Sequence, residues 1–293
     1  MPTPAAPAWF TDAIAARPSH HDIEVDGVRI HYRAWGLASE LPGLVLLHGG
    51  AAHSGWWDHI APQLASDRRV IAVDLSGHGD SAWKPEYDRS QWAREVVGAV
   101  RAEGIDPAVF IGHSMGGWVS VFAGVVEPTA VRGIIAIDSP FTEVPPEEEP
   151  IAARRPDTKV YPSLEEAISR FRTVPPQDGN LDYVSRHVAI ESLRRVEGGS
   201  ARVEGGWTWK FDPGIFGQRG WVRDLLPRLA APLTLVRCER GMVEDPMVER
   251  ISQLHRDGVQ VVTLPKAGHH AMFDQPEVLV ATLQGLLGAA PTR

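Results

Sequence analysis

The stretch Ala108-Val109-Phe110-Ile111-Gly112-His113-Ser114-Met115-Gly116-Gly117 decides how the chain is read. Four consecutive apolar residues are the mark of a strand covered on both faces. A helical pattern over 115–127 follows at once. Between them stands Gly-x-Ser-x-Gly, which in a strand–turn–helix setting is a nucleophile elbow. A turn this tight strains the serine backbone. It exposes the Ser114 hydroxyl beside the positive end of the next helix. Glycine is needed at 112 and 116 because side chains there would strike the neighbouring strand and helix.

Outward from the elbow the same alternation repeats. Leu44-Val45-Leu46-Leu47, Val70-Ile71-Ala72-Val73 and Ile134-Ile135-Ala136-Ile137 are further continuous apolar runs, with helical patterns over 57–66 and 89–104 between them. Strand, helix, strand, helix implies parallel strands joined by right-handed crossovers. Ile23 to Trp35 alternates about Asp26-Gly27 and predicts a hairpin. After residue 225 the alternation resumes, with strands at 233–236 and 259–264 and helices at 246–257 and 276–288. The stretch 140–225 breaks the pattern; it is rich in Pro, Arg, Glu and Trp, with short helical patterns at 163–172 and 180–194. An interruption this long is expected to fold and cover something. The expected organisation is a core domain from 1–139 and 226–293, carrying a lid at 140–225.

Composition narrows the function. Of 293 residues 43% are hydrophobic and 23% charged, which excludes global disorder. The 29 Lys and Arg against 37 Asp and Glu leave a net charge of −8, so neither nucleic acid nor an anionic membrane is an expected partner. The single cysteine, Cys238, excludes an internal disulfide and a cysteine-rich zinc site. The first residues carry no secretory pattern, and no apolar run approaches the roughly 20 residues of a membrane span. A soluble, cytoplasmic protein is expected.

Serine needs a base within hydrogen-bond reach. Ala267-Gly268-His269-His270-Ala271 follows the last strand, at the carboxyl end of the sheet where an active-site histidine belongs. His269, directly after the glycine, is the favoured base, and His270 is expected behind it or facing substrate. An acyl-transfer site also needs donors for the developing oxyanion. The run Leu47-His48-Gly49-Gly50-Ala51-Ala52 follows another central strand, and the expected hole combines the N–H groups of Met115 and Gly50, with Ala51 the next candidate. His48 is expected to hold this loop. Neither a metal nor an organic cofactor is required; His113, His53 and His59 lack zinc-ligand spacing.

With these motifs in place the chain resembles the α/β-hydrolase superfamily over essentially all of residues 20–290. Val73-Asp74-Leu75-Ser76-Gly77-His78-Gly79-Asp80-Ser81 is similar to that family's loop after its fourth strand, and Asp274-Gln275-Pro276 matches as well. The resemblance implies a mostly parallel, doubly wound eight-stranded sheet with a helical lid inserted after strand 6. It also implies an acid to orient His269. Most members carry that acid after the seventh strand, where this chain has Gly241, and glycine cannot orient an imidazole. A variant class carries it after the sixth, where this chain has Asp138. Asp138 is therefore the favoured acid, and Glu244 the alternative, ahead of Asp245 and Glu239.

Aromatic residues crowd the inserted stretch. Trp207, Trp209 and Trp221 are expected to form a small satellite core or a substrate wall. Of Trp56 and Trp57, one is expected to face the pocket and the other the core. With His113 and His270 these are the candidate substrate-facing side chains. They point to a small, largely apolar or aromatic ester or lactone cleaved through an acyl-enzyme. Alternatives sharing the machinery are carbon–carbon bond hydrolysis of ring-cleavage products, cofactor-free haloperoxidase or perhydrolase chemistry, and a non-catalytic ligand receptor.

Overall fold

The apolar runs and the hairpin pair into one eight-stranded sheet in a computed structural model that describes residues 5–141, 159–196, 205–217 and 223–289. In chain order the strands are β1 (Ser19–Val25), β2 (Val28–Trp35), β3 (Leu44–Leu47), β4 (Val70–Val73), β5 (Ala108–His113), β6 (Val131–Ile137), β7 (Leu193–Arg195), β8 (Trp207–Trp209), β9 (Leu233–Arg240) and β10 (Gln260–Gly268). Across the large sheet the order is β1-β2-β4-β3-β5-β6-β9-β10. β2 runs antiparallel to both neighbours and the rest is parallel. β7 and β8 form a separate two-stranded antiparallel ladder. The eight strands and their mostly parallel arrangement are those the sequence implies.

The helices are α1 (Ala8–Ala15), α2 (Ala61–Leu64), α3 (Arg89–Ala102), α4 (Met115–Val126), α5 (Leu164–Ser169), α6 (Asp182–Glu191), α7 (Asp245–Leu254), α8 (Ala271–Asp274) and α9 (Pro276–Ala289). The central strands read as unbroken apolar runs because each has two cores to fill. Val45, Leu47, Ile71, Val73, Phe110, Ile134 and Ala136 point into one, with α3 and α4. Leu44, Leu46, Val70, Ala72, Ile111, Ile135 and Ile137 point into the other, with Phe10 of α1, α2, α8 and α9. Successive side chains alternate between faces, so both sets must be apolar when helices cover both sides.

Several local readings differ in length or kind. The helix expected over 57–66 is a 3-10 turn at Ser54–Trp57 followed by the short α2; Pro62 lacks the amide that would carry one continuous helix through. The pattern at 180–194 stops at Glu191, because Leu193–Arg195 leaves to pair with Trp207–Trp209. The β1–β2 turn holds Asp26 at φ 49° and Gly27 at φ 77°, both positive as a two-residue hairpin turn demands. No described helix is long and apolar enough to cross a membrane.

Candidate active site

β5 enters the elbow at the centre of the sheet, between β3 and β6. Ser114 is held at φ 52°, ψ −116°, a backbone geometry that non-glycine residues rarely adopt. Two hydrogen bonds impose it: Ser114 N–H donates to the Ile137 carbonyl at 2.9 Å, and Gly117 N–H to the Ser114 carbonyl at 3.0 Å. A Cβ on Gly112 would stand 2.3 Å from the Gly116 backbone, and one on Gly116 2.4 Å from the Leu47 carbonyl oxygen. Both positions therefore exclude any side chain, and the elbow can close.

The end of β6 and the end of β10 meet beside it. His269 Nδ1 lies 2.6 Å from Asp138 Oδ2, with both side chains buried. A carboxylate accepts, so Nδ1 carries the proton and Nε2 keeps its lone pair. Asp138 also accepts from the backbone N–H groups of Cys238 at 3.1 Å, Met242 at 2.7 Å and Val243 at 3.4 Å. Its φ of 40° and an N–H bond to the Val236 carbonyl turn the carboxylate across the end of β9. Gly241 accounts for the departure noted in the sequence. A Cβ there would stand 2.3 Å from Asp138 Oδ2. The space for a side chain after β9 is already filled by the carboxylate from β6. Glu244 lies exposed just before α7, and Asp245 pairs with Arg237.

Gly50, Met115, Ser114 and His269 all line one cavity of about 730 Å³. The N–H groups of Gly50 and Met115 have no hydrogen-bond partner among the described residues. The loop that offers Gly50 is pinned by His48, buried and neutral. Its Nδ1 donates to the Gly49 carbonyl at 2.8 Å and its Nε2 accepts from Leu75 N–H at 3.2 Å; burial lowers its pKa.

Of the candidate substrate-facing residues, Trp56, Trp209 and His270 line the cavity, while Trp57 is fully buried in the core. His113 and Trp207 do not line it. His113 lies beneath, its Nε2 donating to the His269 carbonyl at 2.8 Å, and so supports the histidine loop from behind. Trp207 is taken up by backbone pairing with Tyr161 and by a satellite core with Tyr161, Ala167 and Leu193. Trp221 lies outside the described residues. Burial, with His269 adding to it, lowers the pKa of His270 to about 3. It is a neutral ring whose two nitrogens find no hydrogen bond, although the Val174 and Pro175 carbonyls lie toward it.

Several further wall residues are not among the candidates that the sequence motifs mark. Trp118 sits one turn beyond Ser114 on α4, a spacing that signals a shared helix face. His53 and Ser192 form a fixed polar spot, with His53 Nε2 donating to Ser192 Oγ at 2.8 Å. Arg170, Arg172 and Lys210 carry no local motif. Two clusters have metal-ligand types. The nitrogens of His113, His269 and His270 lie within 4.8 Å of one another, as do ligand atoms of His31, Asp74 and Asp80. Among the described residues each cluster has members already held by neighbours. His269 Nδ1 is held by Asp138, and Asp74 accepts from His31, Ser54 N–H and Asp80 N–H.

Comparison with known proteins agrees with this architecture. Residues 44–282 match the model of a family described as the alpha/beta hydrolase family. The esterase Rv0045c of Mycobacterium tuberculosis is 30% identical over 86% of this chain and 84% of its own length. The 2-(acetamidomethylene)succinate hydrolase of Mesorhizobium japonicum is 27% identical over 85% of this chain and 88% of its own. Among solved structures, an E-2-(acetamidomethylene)succinate hydrolase superposes with a TM-score of 0.78 at 21% identity, covering 93% of this chain and all of the other.

Proposed function

The chain belongs to the alpha/beta hydrolase family, and from that premise we propose that it is a serine hydrolase cleaving a carboxylic ester or lactone of a small, largely apolar or aromatic substrate. The observation that carries the reading is the buried Asp138–His269 pair, which shares a cavity with a serine strained onto an elbow. An esterase among the relatives supports the choice of ester.

In this reading His269 Nε2 takes the Ser114 proton as Oγ attacks the carbonyl carbon. The Gly50 and Met115 N–H groups receive the oxyanion. Asp138 holds the imidazole in its tautomer and stabilises the imidazolium. The C–O bond to the leaving group breaks as His269 returns the proton to it, and an acyl group remains on Ser114. Water, deprotonated by the same imidazole, then releases the acid and restores the serine. Residues 140–225 act as the lid and the remainder as the core. Trp56, Trp209 and His270 shape the acyl or alcohol pocket.

Ser114→Ala is expected to abolish turnover of a short p-nitrophenyl ester and covalent labelling by a fluorophosphonate. Retained turnover in that variant rejects the nucleophile. An unaltered protein that neither labels nor turns over any ester overturns the ester-hydrolase reading.

A further inference from the structure

The chain carries 37 acidic residues and a net charge of −8. None of its described carboxylates lies on the cavity wall, yet Arg170, Arg172 and Lys210 all do. Lys210 is already paired, its Nζ 2.9 Å from Asp80 Oδ2. The two arginines differ. They leave the end of α5 on either side of Phe171, whose ring stands 6.3 Å from Trp56 and 6.2 Å from Trp209 in the aromatic wall. Both are exposed while lining the cavity, so they mark where it opens to water. Arg172 Nη1 donates to the Ser169 and Phe171 carbonyls at 2.9 and 2.6 Å, which fixes the guanidinium on its own turn. Its Nε and Nη2 have no partner among the described residues, and neither does the Arg170 guanidinium.

The cavity is thus graded. Ser114 and His269 sit under aromatic and aliphatic side chains, and Arg170, unpaired among the described residues, and Arg172, engaged only through Nη1, line the wall at its exposed edge. We propose that the ester turned over here carries an anionic group, a carboxylate in the simplest case, at the end remote from its scissile bond, and that Arg170 and Arg172 receive it. The proposal rests on the hydrolase reading for the position of the ester, and on the mouth alone for the charge. A guanidinium fork matches a carboxylate edge. A local positive field on an acidic protein also concentrates anions at the edge of the cavity. Because the groups are exposed, the discrimination is several-fold rather than thousand-fold.

Two p-nitrophenyl octanedioates with the same acyl chain test it. One is the p-nitrophenyl half-ester with a free far carboxylate, and the other is its neutral p-nitrophenyl methyl counterpart. The ratio of their kcat/KM values is read within each protein, so a fall in folded fraction cancels. At low salt the unaltered protein is expected to favour the anion about fivefold, shrinking toward about twofold in high salt as screening sets in. In Arg170→Gln/Arg172→Gln the ratio is expected to approach one. A ratio of one or less in the unaltered protein, or a preference that survives the double variant, overturns the proposal. The same pair of ligands titrated calorimetrically into Ser114→Ala reads the preference as a Kd ratio, without turnover. An anion preference there, beside absent ester cleavage by the unaltered protein, would sink the catalytic reading and leave the mouth assigned as stated.

Discussion

Gly241 is informative because it has no side chain. In a sequence it marks the missing acid of the common family arrangement; in the structure its α-hydrogens face the Asp138 carboxylate, with room for nothing larger. Asp138→Asn keeps shape and tolerates the positive φ, but an amide has one accepting atom where the carboxylate uses two, Oδ2 for His269 Nδ1 and Met242 N–H and Oδ1 for Cys238 and Val243 N–H. We expect kcat to fall by about 10⁴-fold with KM little changed. A near-normal rate, with Glu244→Gln crippled instead, would move the role to the loop. The exchange is the sharper test. Asp138→Gly leaves the strained φ to a residue that adopts it freely, and adding Gly241→Asp returns a carboxylate to the vacated volume. The double variant is expected to recover at least ten times the activity of Asp138→Gly, by order of magnitude from the acid's worth. No recovery would mean that position along the chain, and not the occupied volume alone, sets the geometry. Ser114, His269 and Asp138 are legible in sequence because glycines or strand ends announce them. Arg170, Arg172, His53 and Ser192 are not, because they come to one cavity only after α5, α6 and the loop at Gly50 have packed.

Short elements are where pattern reading fails. β3 to β6 are legible because two-sided burial makes four consecutive positions apolar. β7 and β8 have three residues each, too few for a period to show. Trp207 and Trp209 lie on the same face of β8 by alternation, yet only Trp209 reaches the cavity, because Tyr161 pairs across Trp207 and closes that end. The two tryptophans should separate by experiment. Trp209→Ala is expected to shift KM several-fold across a series of acyl chain lengths. Trp207→Ala is expected to leave the order of preference intact and to cost about 2 kcal/mol, less than a fully buried aromatic because the ring is half-buried. Ester kinetics and urea midpoints on both variants check this. Equal changes in chain-length profile would show that β8 acts as one wall. At the same scale α6 is tied to the core by Arg33, buried between Asp58 at 2.7 Å and Glu191 of α6 at 2.7 Å. The hydrophobic pattern gives no hint of that link, since both partners are distant in sequence.

Over the whole molecule, burial of neutral imidazoles makes stability depend on acid. His48, His53, His59, His78, His113 and His270 are all interior. Loss of hydration is the first cause holding each below the ordinary value of 6.5, with His59 at about 4 and His270 at about 3. Below pH 6.5 the unfolded chain binds more protons at these six positions than the folded chain does. Stability is therefore intact above pH 6.5 and is lost as pH falls toward the folded-state values. Each ring contributes up to about 1.4 kcal/mol per pH unit in that window. Glu95 and Asp274 act in the opposite direction, since burial raises their carboxyl pKa values and the folded state takes their protons first. Asp74, held well below its ordinary value despite burial by bonding to His31, adds to the loss only below 3.8. His59 and His270 together remove about 3 kcal/mol between pH 7.5 and 5.5, a sizeable share of the roughly 5–15 kcal/mol that holds a domain together. Urea midpoints are expected to be flat from pH 8 to 7 and to drop steeply from 6.5 to 5. His59→Gln, whose amide can still donate to the Met272 carbonyl that His59 Nε2 now meets at 2.8 Å, is expected to reduce the slope by about one proton. A midpoint independent of pH across that window would mean that these rings take protons in the folded state as readily as in the unfolded one.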